Sequence, residues 1–285
     1  MLKILVGTPL QVHGKNISMN KPKVLFIYDH TRPEYWCDGL YMALQELEKD
    51  FEITKHNLQD DLPPHGPYDF YLGWGAFNSS VDNFLRIPNK GAVKTGLCIA
   101  GNTFPPVGAN NYSVLFYETK WYRPQISFHK NIVHAFGINS DLFFQSDLLS
   151  PIIWDYIGVG SLADWKRWDK MKDKKGTRLV VGEYQKGNEQ ESGRIALDLL
   201  KSGVMVSDMV SPFDLSNLYN WSRTLYMPSD VNGGGERAVL EARACGLTVE
   251  IEDDNPKLKE VLQWDPIPDY KWYASQLKRG ILSVI

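Results

Sequence analysis

The chain has 285 residues, long enough for one large or two modest domains, and its 31 Lys and Arg against 34 Asp and Glu leave a formal charge of −3. This balance argues against indiscriminate nucleic-acid binding, and no apolar run reaches the length of a membrane span. Three scattered cysteines, Cys37, Cys98 and Cys245, and the lack of an apolar signal-peptide core near residue 1 lead us to expect a cytoplasmic protein.

The first part of the chain alternates apolar strands with helical patterns. Residues 24–28 form a continuous apolar run of the kind that is buried on both faces of a parallel sheet. Apolar residues at helical spacing then predict a helix over about residues 34–49. Further strands are predicted near residues 70–72, 95–100, 113–117 and 132–136. The pattern indicates an open parallel sheet.

The same alternation restarts after residue 150. Strands are predicted near residues 157–159, 178–181, 224–227 and 247–251. Between them, Ser211 is placed to cap a helix that begins at Pro212, and a last helix over about residues 270–281 is expected to pack back onto the rest.

We therefore expect an α/β protein with two Rossmann-like parallel-sheet domains that face each other across a cleft. The predicted boundaries are 1–150 for the first domain, 151–265 for the second and 266–285 for the C-terminal helix. Ligands bind beyond the carboxyl ends of strands in such sheets, so the cleft is the expected site.

The most informative segment is residues 228–246, in which a strand is followed by three consecutive glycines and then by a helix. The glycines are Gly233, Gly234 and Gly235. Glycine lets the backbone approach a ligand closely, and the free N–H groups at a helix start attract phosphate. Glu241 has mostly small neighbours three and four positions away, so a bulky ligand could reach it. The alternative is an ion pair between Arg237 and Glu241 on an exposed helix, worth about 0.3–0.5 kcal/mol.

This segment resembles the signature of family-4-type glycosyltransferases of the GT-B fold. In that signature two Glu residues eight positions apart flank a glycine-rich turn, and Ala-x-Ala-x-Gly follows the second. Glu241 matches the second Glu and residues 242–246 match the tail. The resemblance implies that Glu241 binds the ribose of a sugar nucleotide. The first Glu of the signature, which lies against the donor sugar, falls on Gly233, and Glu236 is the candidate substitute, although a regular helix would point it about 140° away from Glu241.

The resemblance also implies a basic pair after the first strand of the second domain, where it offsets the charge of the donor diphosphate. Lys166 matches the Lys of that pair, and Arg167 is the nearest Arg. The predicted donor-binding residues are Lys166, Arg167, Gly233, Gly234, Gly235, Glu236, Arg237 and Glu241.

Two further segments of the first domain are expected to face the cleft. Asn102 follows a predicted strand at a place where many family members carry His, and an amide cannot act as a general base. Residues 117–124 combine a carboxylate, two cations and three rings, which suits a sugar acceptor, although a helix start with local ion pairs is an equal alternative. The acceptor-side candidates are His30, Arg32, Trp121, Tyr122 and Arg123, and the catalytic candidates are Glu236, Glu118 and Asn102.

Other chemistries are less well supported. The chain has no Asp-x-Asp motif, so we assign it no metal site, and we expect no cofactor besides the nucleotide-sugar co-substrate. Residues 165–178 form a basic run with two tryptophans that could meet nucleic acid or an anionic membrane, but a solvated face is the favoured interpretation.

The function expected from this resemblance is a metal-independent retaining glycosyltransferase. It would move a sugar, with a UDP-sugar as the default donor, to an acceptor hydroxyl on a saccharide, a lipid, a small molecule or a modified nucleic-acid base. One alternative is a GT-B sugar-nucleotide epimerase or hydrolase. Another is a catalytically silent protein that binds a nucleotide sugar or nucleic acid.

Overall fold

A computed structural model describes residues 20–30, 36–60, 66–86, 93–104, 111–146, 151–185 and 187–285. In these ranges the strands form two fully parallel sheets, one of six strands and one of five. We refer to the part built on the six-stranded sheet as the first domain and to the part built on the five-stranded sheet as the second domain.

The first sheet has the strand order β2-β1-β3-β4-β5-β6. Its strands are β1 (Lys23–Tyr28), β2 (Glu52–Asn57), β3 (Phe70–Gly75), β4 (Lys94–Ile99), β5 (Val114–Tyr117) and β6 (Ile132–His134). The helices between them are α1 (Gly39–Leu47), α2 (Ser80–Leu85) and α3 (Arg123–Ile126), the last preceded by a 3-10 helix, Lys120–Tyr122.

The second sheet has the strand order β11-β10-β7-β8-β9. Its strands are β7 (Trp154–Val159), β8 (Arg178–Val181), β9 (Met205–Ser207), β10 (Ser222–Met227) and β11 (Thr248–Ile251). The helices are α4 (Glu189–Lys201), α5 (Pro212–Asn220), α6 (Glu236–Ala244) and α7 (Pro256–Leu262), and α8 (Tyr270–Leu282) follows. Two 3-10 helices, Asp164–Lys166 and Trp168–Asp173, lie between β7 and β8.

The strands predicted from apolar runs are confirmed, but β2 and β9 were not predicted. Both are edge strands with one neighbour each, and their sequences, EITKHN and MVS, lack the continuous apolar run of a strand buried on both faces. Helix α5 begins at Pro212 with the Ser211 side chain accepting from the Asp214 N–H, as predicted. Helix α1 begins at Gly39, where Asp38 accepts from the Tyr41 N–H and caps the first turn.

Helix α8 packs on the first domain although it follows the second sheet in sequence. Its buried face, which includes Tyr270, Tyr273, Leu277 and Ile281, joins the apolar core between α1 and the first sheet. A second core fills the opposite face of that sheet, and a third fills the second domain. The chain therefore crosses between the domains twice.

Both sheets bring their topological switch points to the cleft. In the first sheet, β2 lies on one side of β1 and the next strand in sequence, β3, lies on the other side. In the second sheet, β8 and β9 lie on one side of β7, and β10 lies on the other. In parallel sheets such a point opens a crevice at the carboxyl ends of the strands. Among the described residues, no helix is both long and apolar enough to cross a membrane.

Candidate active site

A cavity of about 390 Å³ lies between the two domains at the carboxyl ends of their strands. In the first domain its walls come from the segments after β1, β5 and β6 and from Trp74 near the end of β3, and in the second domain they come from the segments after β7, β9 and β10 and from Val159 at the end of β7. The ionisable side chains that line it are His30, Asp38, Glu118, Lys166, Glu236, Arg237 and Glu241. The apolar part of the wall includes Trp36, Trp74, Phe136, Phe143, Met209 and Leu215. This mixture of apolar surface with a few polar groups is typical of a small-molecule site.

Helix α6 points its first turn at this cavity. Gly235 caps it with φ 118°, a conformation that L residues rarely adopt, and Gly234 before it has φ 62°. Glu236 and Glu241 are 4 % and 5 % exposed, so the alternative of an ion pair on an exposed helix is wrong. Both carboxylates line the cavity despite their angular separation, because Glu236 stands at the end of the helix and Glu241 on its side.

The glycine at position 233 has a packing reason. A methyl group there would lie 2.6 Å from the Ser229 Cβ and 2.7 Å from the Trp165 carbonyl oxygen. A side chain as large as glutamate does not fit at this position unless the turn moves. Glu236 supplies a carboxylate to the cavity from three residues further along the chain.

Burial changes the acidity of Glu241. It raises the pKa of the Glu241 carboxyl to about 8, against the opposing positive charge of Arg237. Hydrogen-bond donors supplied by a ligand favour the ionised form of such a carboxyl.

Lys166 also lines the cavity. It ends the 3-10 helix after β7, is 7 % exposed, and lies against Gly160, where a Cβ would be 2.9 Å from the lysine Nζ. Gly160 has φ 146°. Burial lowers the pKa of Lys166 to about 8, although the Glu236 carboxylate favours the charged form. The side chain is therefore a cation that an anionic ligand would stabilise.

Arg167, predicted as a donor-site residue, is not among the described residues that line the cavity. Its backbone is left-handed, with φ 52°, and its side chain turns toward the ends of β10 and β11. The guanidinium donates to the Pro228 carbonyl at 2.6 Å and forms a two-pronged ion pair with Asp254 at 2.6 and 2.8 Å.

Arg237 and Asp38 form an ion pair between the domains that the sequence did not reveal. The Arg237 guanidinium lies 2.5 Å from the Asp38 carboxylate, which also accepts from the Trp36 indole N–H at 3.1 Å. Burial acts to lower the pKa of Arg237, but the carboxylates of Asp38, Glu241 and Glu118 hold it above its usual value. The signal available in the sequence was the capping pattern at Asp38, which predicts a helix start and no partner in another domain.

Glu118 enters the cavity directly after β5. Burial raises the pKa of the Glu118 carboxyl above its usual range, and the nearby Glu236 carboxylate adds to the rise. Arg237 and Lys257 act in the opposite direction. The first domain thus places one carboxyl that gains protons readily next to a carboxylate of the second domain.

Among the other predicted first-domain residues that the structure describes, His30 lines the cavity and the rest lie apart from it. Tyr122 is 1 % exposed and belongs to the apolar core, so it offers no surface to an acceptor. Trp121 packs against the same core, and Arg123 lies exposed at the start of α3. Asn102 bridges the domains through hydrogen bonds instead of lining the cavity. Arg32 lies outside the described residues.

The basic run over residues 165–178 is largely paired within the second domain. Lys170 binds Glu252 at 2.5 Å, Lys174 binds Glu250 at 2.6 Å, and Lys172 pairs with Asp198. These partners offset the positive charge locally, which agrees with a solvated face.

In the part of the chain that the structure describes, no three His, Cys, Asp or Glu side chains cluster as metal ligands would. His129 bonds to the backbone oxygens of Tyr112 and Asn131, and His134 bonds to that of Glu118.

No family model and no curated protein matches the sequence. Solved structures do resemble the fold. Sucrose-phosphate synthase from Thermosynechococcus elongatus matches with a TM-score of 0.61 at 14 % identity, over 92 % of this chain and 90 % of that one. Anabaena Alr3699/HepE in complex with UDP and glucose matches with a TM-score of 0.57 at 13 % identity, over 92 % and 89 %. A putative UDP-N-acetylglucosamine 2-epimerase from Listeria monocytogenes matches with a TM-score of 0.51 at 15 % identity, over 92 % and 88 %.

At these identities the likeness is one of fold. The predicted architecture is confirmed: two Rossmann-like domains face each other across a cleft in the GT-B arrangement. Function has to be argued from the site, because one fold serves several chemistries.

Proposed function

We propose that the chain transfers a sugar from a nucleotide-sugar donor to an acceptor hydroxyl in the cleft between its domains. The observation that carries the proposal is the convergence of Glu241, Lys166 and the first turn of α6 on one cavity. A carboxylate suits the two hydroxyls of a ribose, and a cation with free backbone N–H groups suits a diphosphate. These are the groups that a nucleotide sugar needs, and they stand at the switch point of the second sheet.

The chemistry follows from the placement of charge. As the bond from the sugar to the diphosphate breaks, negative charge develops on the leaving oxygen, where Lys166 and the start of α6 stabilise it without a metal. Positive charge develops on the sugar, beside Glu236. In a transfer with retention, the acceptor oxygen bonds to the sugar on the face that the diphosphate leaves, and the acceptor proton passes to the leaving oxygen. Glu118 accepts a hydrogen bond from the acceptor hydroxyl and keeps it oriented.

A thermal-shift panel of UDP, GDP, ADP and their sugars tests the donor site. UDP-sugars come first, because Anabaena HepE was solved with UDP-glucose. Wild-type protein should be stabilised by one nucleotide, by about 2.7 kcal/mol at a hundred times its Kd. Glu241→Ala should abolish the shift. The control variant, Glu52→Ala, removes an exposed carboxylate on β2 and should preserve the shift. If no nucleotide stabilises the wild type at millimolar concentration, the donor site is refuted.

The epimerase or hydrolase alternative keeps the same donor site but needs no acceptor. The similarity in fold to a putative epimerase is the observation that favours testing it. Incubation with the identified donor alone distinguishes the two functions. An isomerised nucleotide sugar or stoichiometric free sugar would support the alternative, whereas turnover only after an acceptor is added would support transfer. The anomeric configuration of that product, measured by NMR, tests retention.

A further inference from the structure

Lys257, near the start of α7, is among the most buried charged side chains described. It is 1 % exposed and belongs to the second domain. Removing an ammonium group from water costs several kcal/mol unless partners compensate for it. Lys257 does not line the cavity, and sequence patterns did not select it, so its burial calls for an explanation.

The partners of Lys257 come from both domains. Its Nζ lies 2.9 Å from Oε1 of Glu236, in the second domain, and donates to Oδ1 of Asn102, in the first, at 3.1 Å. The ammonium also lies 5.3 Å from the Trp121 ring centroid and 5.6 Å from that of Tyr122, both in the first domain. Such distances allow cation–π attraction, which strengthens when the cation is desolvated. Separation of the domains would remove three of these four partners.

Asn102 continues the connection into the glycine-rich turn. Its amide N–H donates to the Val231 carbonyl at 2.9 Å, in the loop between β10 and α6. Close by, the Lys120 backbone N–H of the first domain donates to the Glu260 carboxylate of α7 at 2.8 and 3.0 Å. The first domain therefore forms hydrogen bonds both to the loop that leads to Glu236 and to the helix that carries Lys257.

Glu236 is the second-domain partner of Lys257. Its Oε1 is shielded from solvent and is in an ion pair with Lys257, without the alignment of a hydrogen bond. We propose that Lys257 is a positioning residue that couples closure of the two domains to the orientation of Glu236 in the cavity. When the domains open, Lys257 loses the first-domain groups that hold its ammonium in place, and the carboxylate loses its fixed partner. The effect on catalysis rests on the proposed function, whereas the coupling to closure does not.

Three variants test the proposal. Lys257→Met removes the charge and keeps the apolar stem, Lys257→Arg keeps the charge, and Lys259→Met is the control on the same helix. Lys259 is exposed and pairs with Asp253 at the surface. Pulsed EPR between genetically encoded spin labels at two exposed positions, Lys49 and Lys201, reports the distance between the domains.

Lys257→Met should broaden the EPR distance distribution toward longer distances and lower kcat by about 10²-fold, while the donor Kd changes less than about threefold. Lys257→Arg should restore part of kcat, and Lys259→Met should match the wild type in both measurements. If Lys257→Met fails to unfold cooperatively, Asn102→Ala takes its place. This variant removes one first-domain partner of Lys257 and leaves the lysine itself unchanged. A variant that folds and keeps the wild-type distances and kcat would overturn the proposal.

The two proposals fail in different ways. Should the wild type bind no nucleotide, the proposed function falls, yet the EPR comparison still decides whether Lys257 controls closure. Should nucleotide bind and Lys257→Met open the domains without lowering kcat, Lys257 has no positioning role and the donor site stands.

Discussion

Replacement of Glu241 by glutamine should make the protein's stability less dependent on pH. Folding raises the pKa of this buried carboxyl from 4.5 to about 8, so the folded state holds more protons than the unfolded state between those values. The free energy of unfolding of the wild type therefore falls as the pH rises through this window, and glutamine, which does not titrate, removes that contribution. The stability of Glu241→Gln relative to the wild type should rise by roughly 3–4 kcal/mol between pH 5 and pH 8.

Urea unfolding followed by tryptophan fluorescence at several pH values measures this difference directly. Other titrating groups are common to both proteins and cancel in the comparison. Glu52→Gln, which changes an exposed carboxylate, should give a nearly constant difference from the wild type over the same range. If the difference for Glu241→Gln changes by less than about 1 kcal/mol, Glu241 is solvated or fully compensated, and the dry carboxyl site inferred from its burial does not exist.

Three more predictions follow from the site. Since the pKa of Lys166 is lowered to about 8, nucleotide affinity measured by calorimetry should weaken as the pH rises above 8. Lys166→Arg should bind with little pH dependence, because arginine stays charged. Equal pH profiles for the wild type and the variant would exclude Lys166 from the diphosphate site. Gly233→Ala should lower the free energy of unfolding, measured with urea, by about 1–3 kcal/mol because its methyl group overpacks the turn. Gly193→Ala, inside α4 with no atom near its new methyl group, should raise it by about 0.5–1 kcal/mol. Equal effects of the two changes would contradict the tight turn. Arg237→Met should lower the free energy of unfolding by roughly 1–3 kcal/mol, because Asp38 loses its ion-pair partner. Adding Asp38→Asn to this variant should recover part of the loss. Additive losses in the double variant would show that the two side chains do not interact.

The order of strands and helices could be predicted because it rests on local patterns. Continuous apolar runs mark strands that are covered on both faces, and β1, β5 and β8 have them. β2 was missed because a strand at a sheet edge keeps polar residues. The place of the site was also predictable in outline, because parallel strands present their carboxyl ends, and the glycine-rich turn after β10, on one side of the sheet.

Only the tertiary structure decided which side chains meet in that place. Arg167 neighbours Lys166 in sequence, but a left-handed turn sends its guanidinium to Asp254. Asp38 caps α1 within the first domain and also pairs with Arg237 in the other domain. Lys257 belongs to no motif, yet it joins the domains beside the cavity. Local sequence determines the period and ends of an element, whereas the direction of a charged side chain is set by partners that are distant in sequence, and these are known only once the chain has folded.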